Sequence, residues 1–132
     1  MTEKQIYIIL NYLNSTFPSW RDKEKMFKLW AVPRNLLAKA IDLAAELMTN
    51  QSQTFSPTRK EKGIVLWKSK GDNPNHNCII GFISYIGCSS GNGFIAAASC
   101  DCDNHRSSFR DIITKYGKAL EDRGWLTEEI GF

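Results

Sequence analysis

Two kinds of hydrophobic spacing divide the chain near residue 63. Before it, Ile6, Ile9, Leu10, Leu13 and Phe17 recur every three or four positions, which predicts an amphipathic helix over residues 3–15 ending before Pro18. Ser19 and Asp22 have capping-box spacing and predict a second helix. Phe27, Trp30 and either Trp20 or Met26 would face inward, and Arg21, Lys23, Lys25 and Lys28 outward. Pro33 closes that helix and pre-sets the first turn of a third, whose stripe is Leu37, Ala40, Ile41, Ala44, Leu47 and Met48. From Thr49 to Lys62 the residues turn to Thr, Asn, Gln, Ser and Pro with a charged end, Arg59-Lys-Glu-Lys62, which predicts a loop.

After residue 63 the pattern becomes β-like. Gly63-Ile-Val-Leu-Trp-Lys-Ser69 predicts a strand, and Lys70-Gly-Asp-Asn-Pro-Asn-His76 a turn-rich connection. Cys78 to Ile86 and Phe94 to Cys102 are two further β-prone runs, joined by the reversal Gly87-Cys-Ser-Ser-Gly-Asn-Gly93. Pairing Ile86 with Phe94 sets Ile80 opposite Cys100 and Cys78 opposite Cys102. Both faces of the resulting meander are apolar, so it needs cover on more than one side. Ser108, with Asp111 at capping-box spacing, opens a last helix marked by Phe109, Ile112, Ile113, Tyr116 and Leu120, and Gly124 stands where a C′ glycine belongs. Trp125, Leu126, Ile130 and Phe132 form a short apolar tail that docks back on the body.

The expectation is one α+β domain over residues 1–132: a helical half, 1–62, with three N-terminal helices, then a sheet-plus-helix half, 63–132, with a three-stranded antiparallel meander and one C-terminal helix packed on one sheet face. A chain of 132 residues can bury a real core without staples. No apolar run approaches the roughly 20 residues of a membrane span, and the N-terminus lacks the apolar stretch of a secretory signal. A cytoplasmic location follows, and with it reduced cysteines. The net charge of +3 is uneven: residues 1–62 carry ten Lys/Arg against six Asp/Glu, the remainder seven against eight. A basic first half suits nucleic acid or an acidic protein surface.

The sharpest chemical grouping is His76, Cys78, Cys100, Cys102 and His105 at the open end of the hairpin, since thiolates with imidazole suit zinc. Their Cys-x-Cys-x-x-His spacing is not a zinc pattern, however, and thiols among apolar neighbours pack as small hydrophobes, so the reading is structural cysteines with neither metal nor cofactor. The Gly87–Gly93 loop lacks the Lys-Ser/Thr and following helix of a phosphate-binding loop. Asp101, Asp103, His105 and Ser107 have the composition of a helix cap, so no catalytic residues are assigned and the protein is read as a non-enzyme. Two binding surfaces remain. Arg59, Lys60, Lys62, Lys68 and Lys70 around Trp67 combine cations with an aromatic, as single-stranded nucleic-acid sites do. Trp20, Arg21, Lys25, Lys28 and Trp30 combine residue types suited to a partner-binding face.

Thr16-Phe-Pro-Ser-Trp20, Trp30 at the end of the next helix, then a long helix and Phe55-Ser-Pro57 with Glu61, resemble the helical segment of phage lambda-type replicative helicase loaders over about residues 10–61. The resemblance implies a replication accessory protein of a phage or mobile element that grips a helicase. The expected function is therefore protein binding without catalysis. The alternatives are a small inhibitor or immunity protein that blocks a toxin or defence enzyme, and a nucleic-acid-binding module using residues 59–70.

Overall fold

In the computed structural model, residues 2–16, 25–51, 55–61, 63–69, 79–86, 91–100 and 106–131 are described. Among these residues three α-helices, α1 (Glu3–Thr16), α2 (Leu37–Thr49) and α3 (Arg106–Asp122), accompany six strands. The strands are β1 (Lys25–Pro33), β2 (Phe55–Glu61), β3 (Ile64–Ser69), β4 (Ile79–Tyr85), β5 (Asn92–Cys100) and β6 (Glu128–Gly131). They form one sheet in the order β2-β3-β4-β5-β1-β6, with every neighbouring pair antiparallel. The expected α+β class and meander are present, the meander as β3-β4-β5 in the middle of a larger sheet.

Three elements differ from expectation, each for a physical reason. The segment expected to be a helix up to Pro33 is strand β1, paired with β5 from Lys25 to Pro33 and with β6 from Lys28 to Ala31. Its core residues divide with period two, Met26, Trp30 and Val32 on one face and Phe27, Leu29 and Ala31 on the other. A strand buried on both faces has a nearly continuous apolar run, and such a run carries no distinguishing period. The expected 49–62 loop contains β2, an edge strand. Its Pro57, the bulge between Pro57 and Arg59, and its charged residues are ordinary devices for blunting a sheet edge, and they gave the segment its loop-like composition. The apolar tail docks as expected, but as strand β6: Trp30 pairs with Glu129, and the Thr127 N–H donates to the Ala31 carbonyl at 2.9 Å.

The hairpin register is one residue from the expected one. Tyr85, not Ile86, faces Phe94, so Ile80 pairs with Ser99 rather than Cys100. A slip of one residue exchanges the faces of one strand relative to its partner. It brings Phe82 level with Ala97 and Ile83 level with Ala96. The loop residues 87–90 lie outside the described residues.

The sheet has a large core on one face and a smaller one on the other. Helices α2 and α3 cover the first, closing over Trp30, Phe82, Ile80, Ile95, Ala97 and Trp67. Helix α1 lies on the second, with Ile9 packed among Leu29, Ala31, Ile83, Phe94, Ala96 and Ala98. In the first core Tyr116 of α3 meets Trp30 edge-on at 4.8 Å and Phe82 at 5.3 Å, and its hydroxyl donates to the Ala40 carbonyl of α2 at 2.6 Å. One phenol thus ties both helices to the sheet. Burial pushes its pKa far above the ordinary 10.0. Below pH 10 folded and unfolded chains both keep that proton. Above it only the unfolded chain releases it, so stability falls as pH rises, with a slope approaching about 1.4 kcal/mol per pH unit. Denaturant midpoints for wild type and Tyr116→Phe between pH 8 and about 11 should converge as the wild type loses this contribution.

Among the described residues, Gly63 and Gly124 adopt left-handed conformations, and each closes an element. Gly124, φ 71°, is the C′ residue of α3, as expected from the sequence. The Gly124 N–H donates to the Glu121 carbonyl and the Trp125 N–H to that of Leu120, both at 2.9 Å, the bond pair of a Schellman motif. That turn directs the chain back to pair β6 with β1. Gly63, φ 77°, lies between the paired ends of β2 and β3, and its carbonyl accepts the Ser84 N–H of β4 at 2.8 Å. A Cβ at residue 63 would collide with the Ser84 hydroxyl as well as require an unfavourable φ. Gly63→Ala should cost about 1–3 kcal/mol, visible as a lower denaturant midpoint at unchanged m-value.

Candidate functional site

A cleft of about 350 Å³ opens between α3 and the β1–β6 end of the sheet. Its lining comes from two directions: Ile113, Thr114, Gly117, Lys118 and Glu121 from α3, Lys28 from β1 and Glu129 from β6. Helical spacing aligns 113, 114, 117, 118 and 121 along one side of α3. On the sheet, Lys28 and Trp30 share a face by period-two alternation, and pairing sets Glu129 beside Trp30.

The charges are mixed. Lys28 keeps only 13% of its side chain exposed and lies 3.9 Å from the Glu129 carboxylate, itself 49% exposed. That separation is well beyond the 2.7–2.9 Å of a strong charge-assisted hydrogen bond. Lys118 and Glu121 are exposed residues of α3. The Thr114 hydroxyl donates to the Arg110 carbonyl at 2.7 Å, which leaves its oxygen as an acceptor toward the cleft.

Under this lining lies an unusual polar atom. The indole Nε1 of Trp30 is buried and has no hydrogen-bond partner among the described residues. An unpaired buried donor costs about 1–3 kcal/mol, and buried polar groups in folded proteins are paired in the large majority of cases. Gly117 accounts for the close fit around it. A Cβ on residue 117 would sit 3.2 Å from Nε1 and 3.3 Å from Oε2 of Glu129, so the indole nitrogen and the carboxylate oxygen border the same small space beside the helix backbone.

The residues singled out from sequence are distributed as follows. Of the partner-binding group, Lys28 lines the cleft, while Trp30 is fully buried and so belongs to the core rather than to an exposed face. Its large rings fill the space between sheet and α3, with Phe82 stacked at 6.4 Å. Lys25 begins β1 opposite Cys100, and Trp20 and Arg21 lie outside the described residues. Of the basic group, Trp67 is also a core residue, edge-on to Phe82 at 6.3 Å, so its face is not available for stacking on a base. Arg59 and Lys60 occupy the edge strand opposite Leu66 and Val65, Lys68 is exposed on β3, and Lys62 and Lys70 lie outside the described residues. His76, Cys78, Cys102 and His105 also lie outside them, and Cys100 ends β5. The cleft residues that the sequence reading missed are Gly117, Lys118, Glu121, Thr114 and Glu129. One signal for them existed: an isolated glycine inside a helical pattern costs about 1 kcal/mol relative to alanine and marks a packing or functional reason.

The architecture is an antiparallel six-stranded sheet with two helices on one face and one on the other, carrying a mixed-charge cleft at one end. Compared with protein-family models, with curated proteins and with solved structures, the chain matches none. No helix among the described residues is long and apolar enough to cross a membrane.

Proposed function

We propose that the protein is a non-enzymatic binding factor that docks on a larger protein partner through the cleft between α3 and β6. One observation carries this reading: a buried indole donor without an acceptor, set behind a cleft that offers cations and carboxylates together. Mixed charges around a cleft of about 350 Å³, within the size range of binding pockets, suit recognition of a protruding group of a partner. The partner class follows the resemblance in the N-terminal half, a replicative helicase of phage or mobile-element replication. The expected Phe-Pro-x-Trp entry falls outside the described residues, and the helix that resemblance places before Trp30 is strand β1. An inhibitor or immunity protein acting on a toxin or defence enzyme is the competing assignment.

Affinity capture from the host, followed by reconstitution with the purified partner, separates these classes. A helicase supports the first and a toxin or defence enzyme the second. Lys118→Glu and Glu121→Lys reverse charge at exposed cleft positions without touching the core, and each should weaken the reconstituted complex by roughly tenfold, the scale of one interfacial charge pair. Affinity unchanged in both variants would remove the cleft as the docking site.

A further inference from the structure

Resting on that reading, we infer that the partner docks by adding a strand: an extended segment pairs with the outer edge of β6 and turns one acidic and one basic side chain toward the cleft. Among the described residues the sheet ends at β6, whose neighbour there is β1. Alternate residues of an antiparallel edge strand turn both N–H and C=O away from the sheet, and such groups pair readily with an arriving backbone. The two edges are not equivalent. At β2, Pro57 removes a donor and a bulge follows it, whereas β6 contains no proline and pairs with β1 in continuous register. A second copy of this chain is a poor occupant, because β6 against β6 would bring the carboxylates of Glu128 and Glu129 alongside their counterparts on both faces.

The cleft beside this edge gives the added strand its chemistry. Pairing sets Glu129 beside Trp30, on the sheet face that α3 covers, so a strand next to β6 would present every second side chain to α3 in the same way. There it meets Lys118 and Glu121, two exposed cleft residues of opposite sign about one helical turn apart. Lys118 has the Asp122 carboxylate 3.8 Å away, but a pair this exposed contributes little and yields to a competing carboxylate. Glu121 forms no ion pair among the described residues. Alternate side chains of a strand stand roughly 6.6 Å apart and the two helix positions roughly 4.5 Å along the axis, a mismatch that long charged side chains span. A carboxylate and a cation at alternate positions therefore meet Lys118 and Glu121 together, whereas two charges of one sign would suit one of these residues and repel the other. The Lys28–Glu129 pair behind them stays in place.

The test is a titration of the ¹⁵N-labelled full chain with capped peptides of about six residues, the usual strand length. One peptide alternates threonine with charged residues, a glutamate and a lysine, so that both charges fall on one face. A second has glutamine at both charged positions. Two further copies of the first carry N-methyl groups on alternate peptide nitrogens, one on the odd residues and the other on the even. The mixed-charge peptide should shift the amide signals of residues 128–131 saturably, and the glutamine peptide should bind roughly tenfold more weakly, the scale of one interfacial charge pair. Of the two methylated peptides, one should bind at least roughly tenfold more weakly and the other should bind like the parent, because only alternate N–H groups of an added strand face β6. Glu121→Gln, at an exposed position of α3, should narrow the preference for the mixed-charge peptide. Unmoved β6 amides at millimolar peptide overturn the inference, as do equal affinities of the mixed-charge and glutamine peptides, equal behaviour of the two methylated peptides, or a chain that is itself dimeric through β6. A captured partner that still responds to Lys118→Glu and Glu121→Lys while the peptides fail would keep the cleft as the docking site and remove only the added strand, so the two readings fail separately.

Discussion

Trp30→Ala should lower stability by about 3–5 kcal/mol, the largest effect of any single substitution considered for this chain. Three contributions combine. The indole is fully buried between the sheet and α3, it touches both Tyr116 and Phe82, and its strand is held by neighbours on two sides. Removing it opens a cavity beneath Gly117, a position with no side chain to collapse inward. Since small domains are stable by only about 5–15 kcal/mol, the variant should be partly unfolded at physiological temperature. Trp30→Phe separates volume from polarity. It removes the unpaired N–H along with part of the ring, so relief of an unsatisfied buried donor offsets part of the lost packing. Urea titrations of the three proteins should rank wild type above or level with Trp30→Phe, and both far above Trp30→Ala. A Trp30→Ala protein within 1 kcal/mol of wild type, roughly the median effect of a point mutation, would contradict the packing described for this core.

Ile9→Ala should cost about 2–5 kcal/mol, and the loss should be local. Ile9 is fully buried on α1, packed with Leu29, Ala31, Ile83, Phe94, Ala96 and Ala98. Much of the sheet beneath it is alanine, so the isoleucine supplies volume that the sheet itself lacks. Its loss should loosen α1 before it loosens the six strands. Hydrogen exchange would show this as faster exchange over residues 3–16, with β4 and β5 nearly unchanged. Uniform acceleration across the sheet would mean instead that α1 is integral to the cooperative unit.

How much of this was legible in the sequence depended on whether one face or two were buried. Helices α1, α2 and α3 present a single apolar stripe to a core, and Ile6, Ile9 and Leu10, or Phe109, Ile112 and Ile113, state it plainly. The meander was readable from β-branched runs separated by turn residues. Strand β1 was not, because apart from Lys28 the run from Met26 to Val32 is apolar on both faces, and period two disappears when both faces are filled. Edge strands were hidden by the opposite problem: Pro57 and the charged residues of β2 protect an edge by resembling a loop. The cleft depended on pairings that no local pattern records. Glu129 comes beside Trp30 only through β6 pairing with a strand nearly a hundred residues earlier, so the glycine at 117 was its one local trace.

Strand order also governs when the protein can fold. β1 is made well before both strands that flank it, β5 at Asn92–Cys100 and β6 at Glu128–Gly131. Until those arrive, the largely apolar segment from Met26 to Val32, broken only by Lys28, has no hydrogen-bonding partner in the sheet. The nascent chain must hold that segment unpaired, within reach of chaperones and of other chains, until β5 has been made. Closing so long a loop makes folding slow, in the millisecond-to-second range of domains dominated by non-local pairing. Any product terminated before β5 would therefore be an aggregation hazard rather than a smaller working domain.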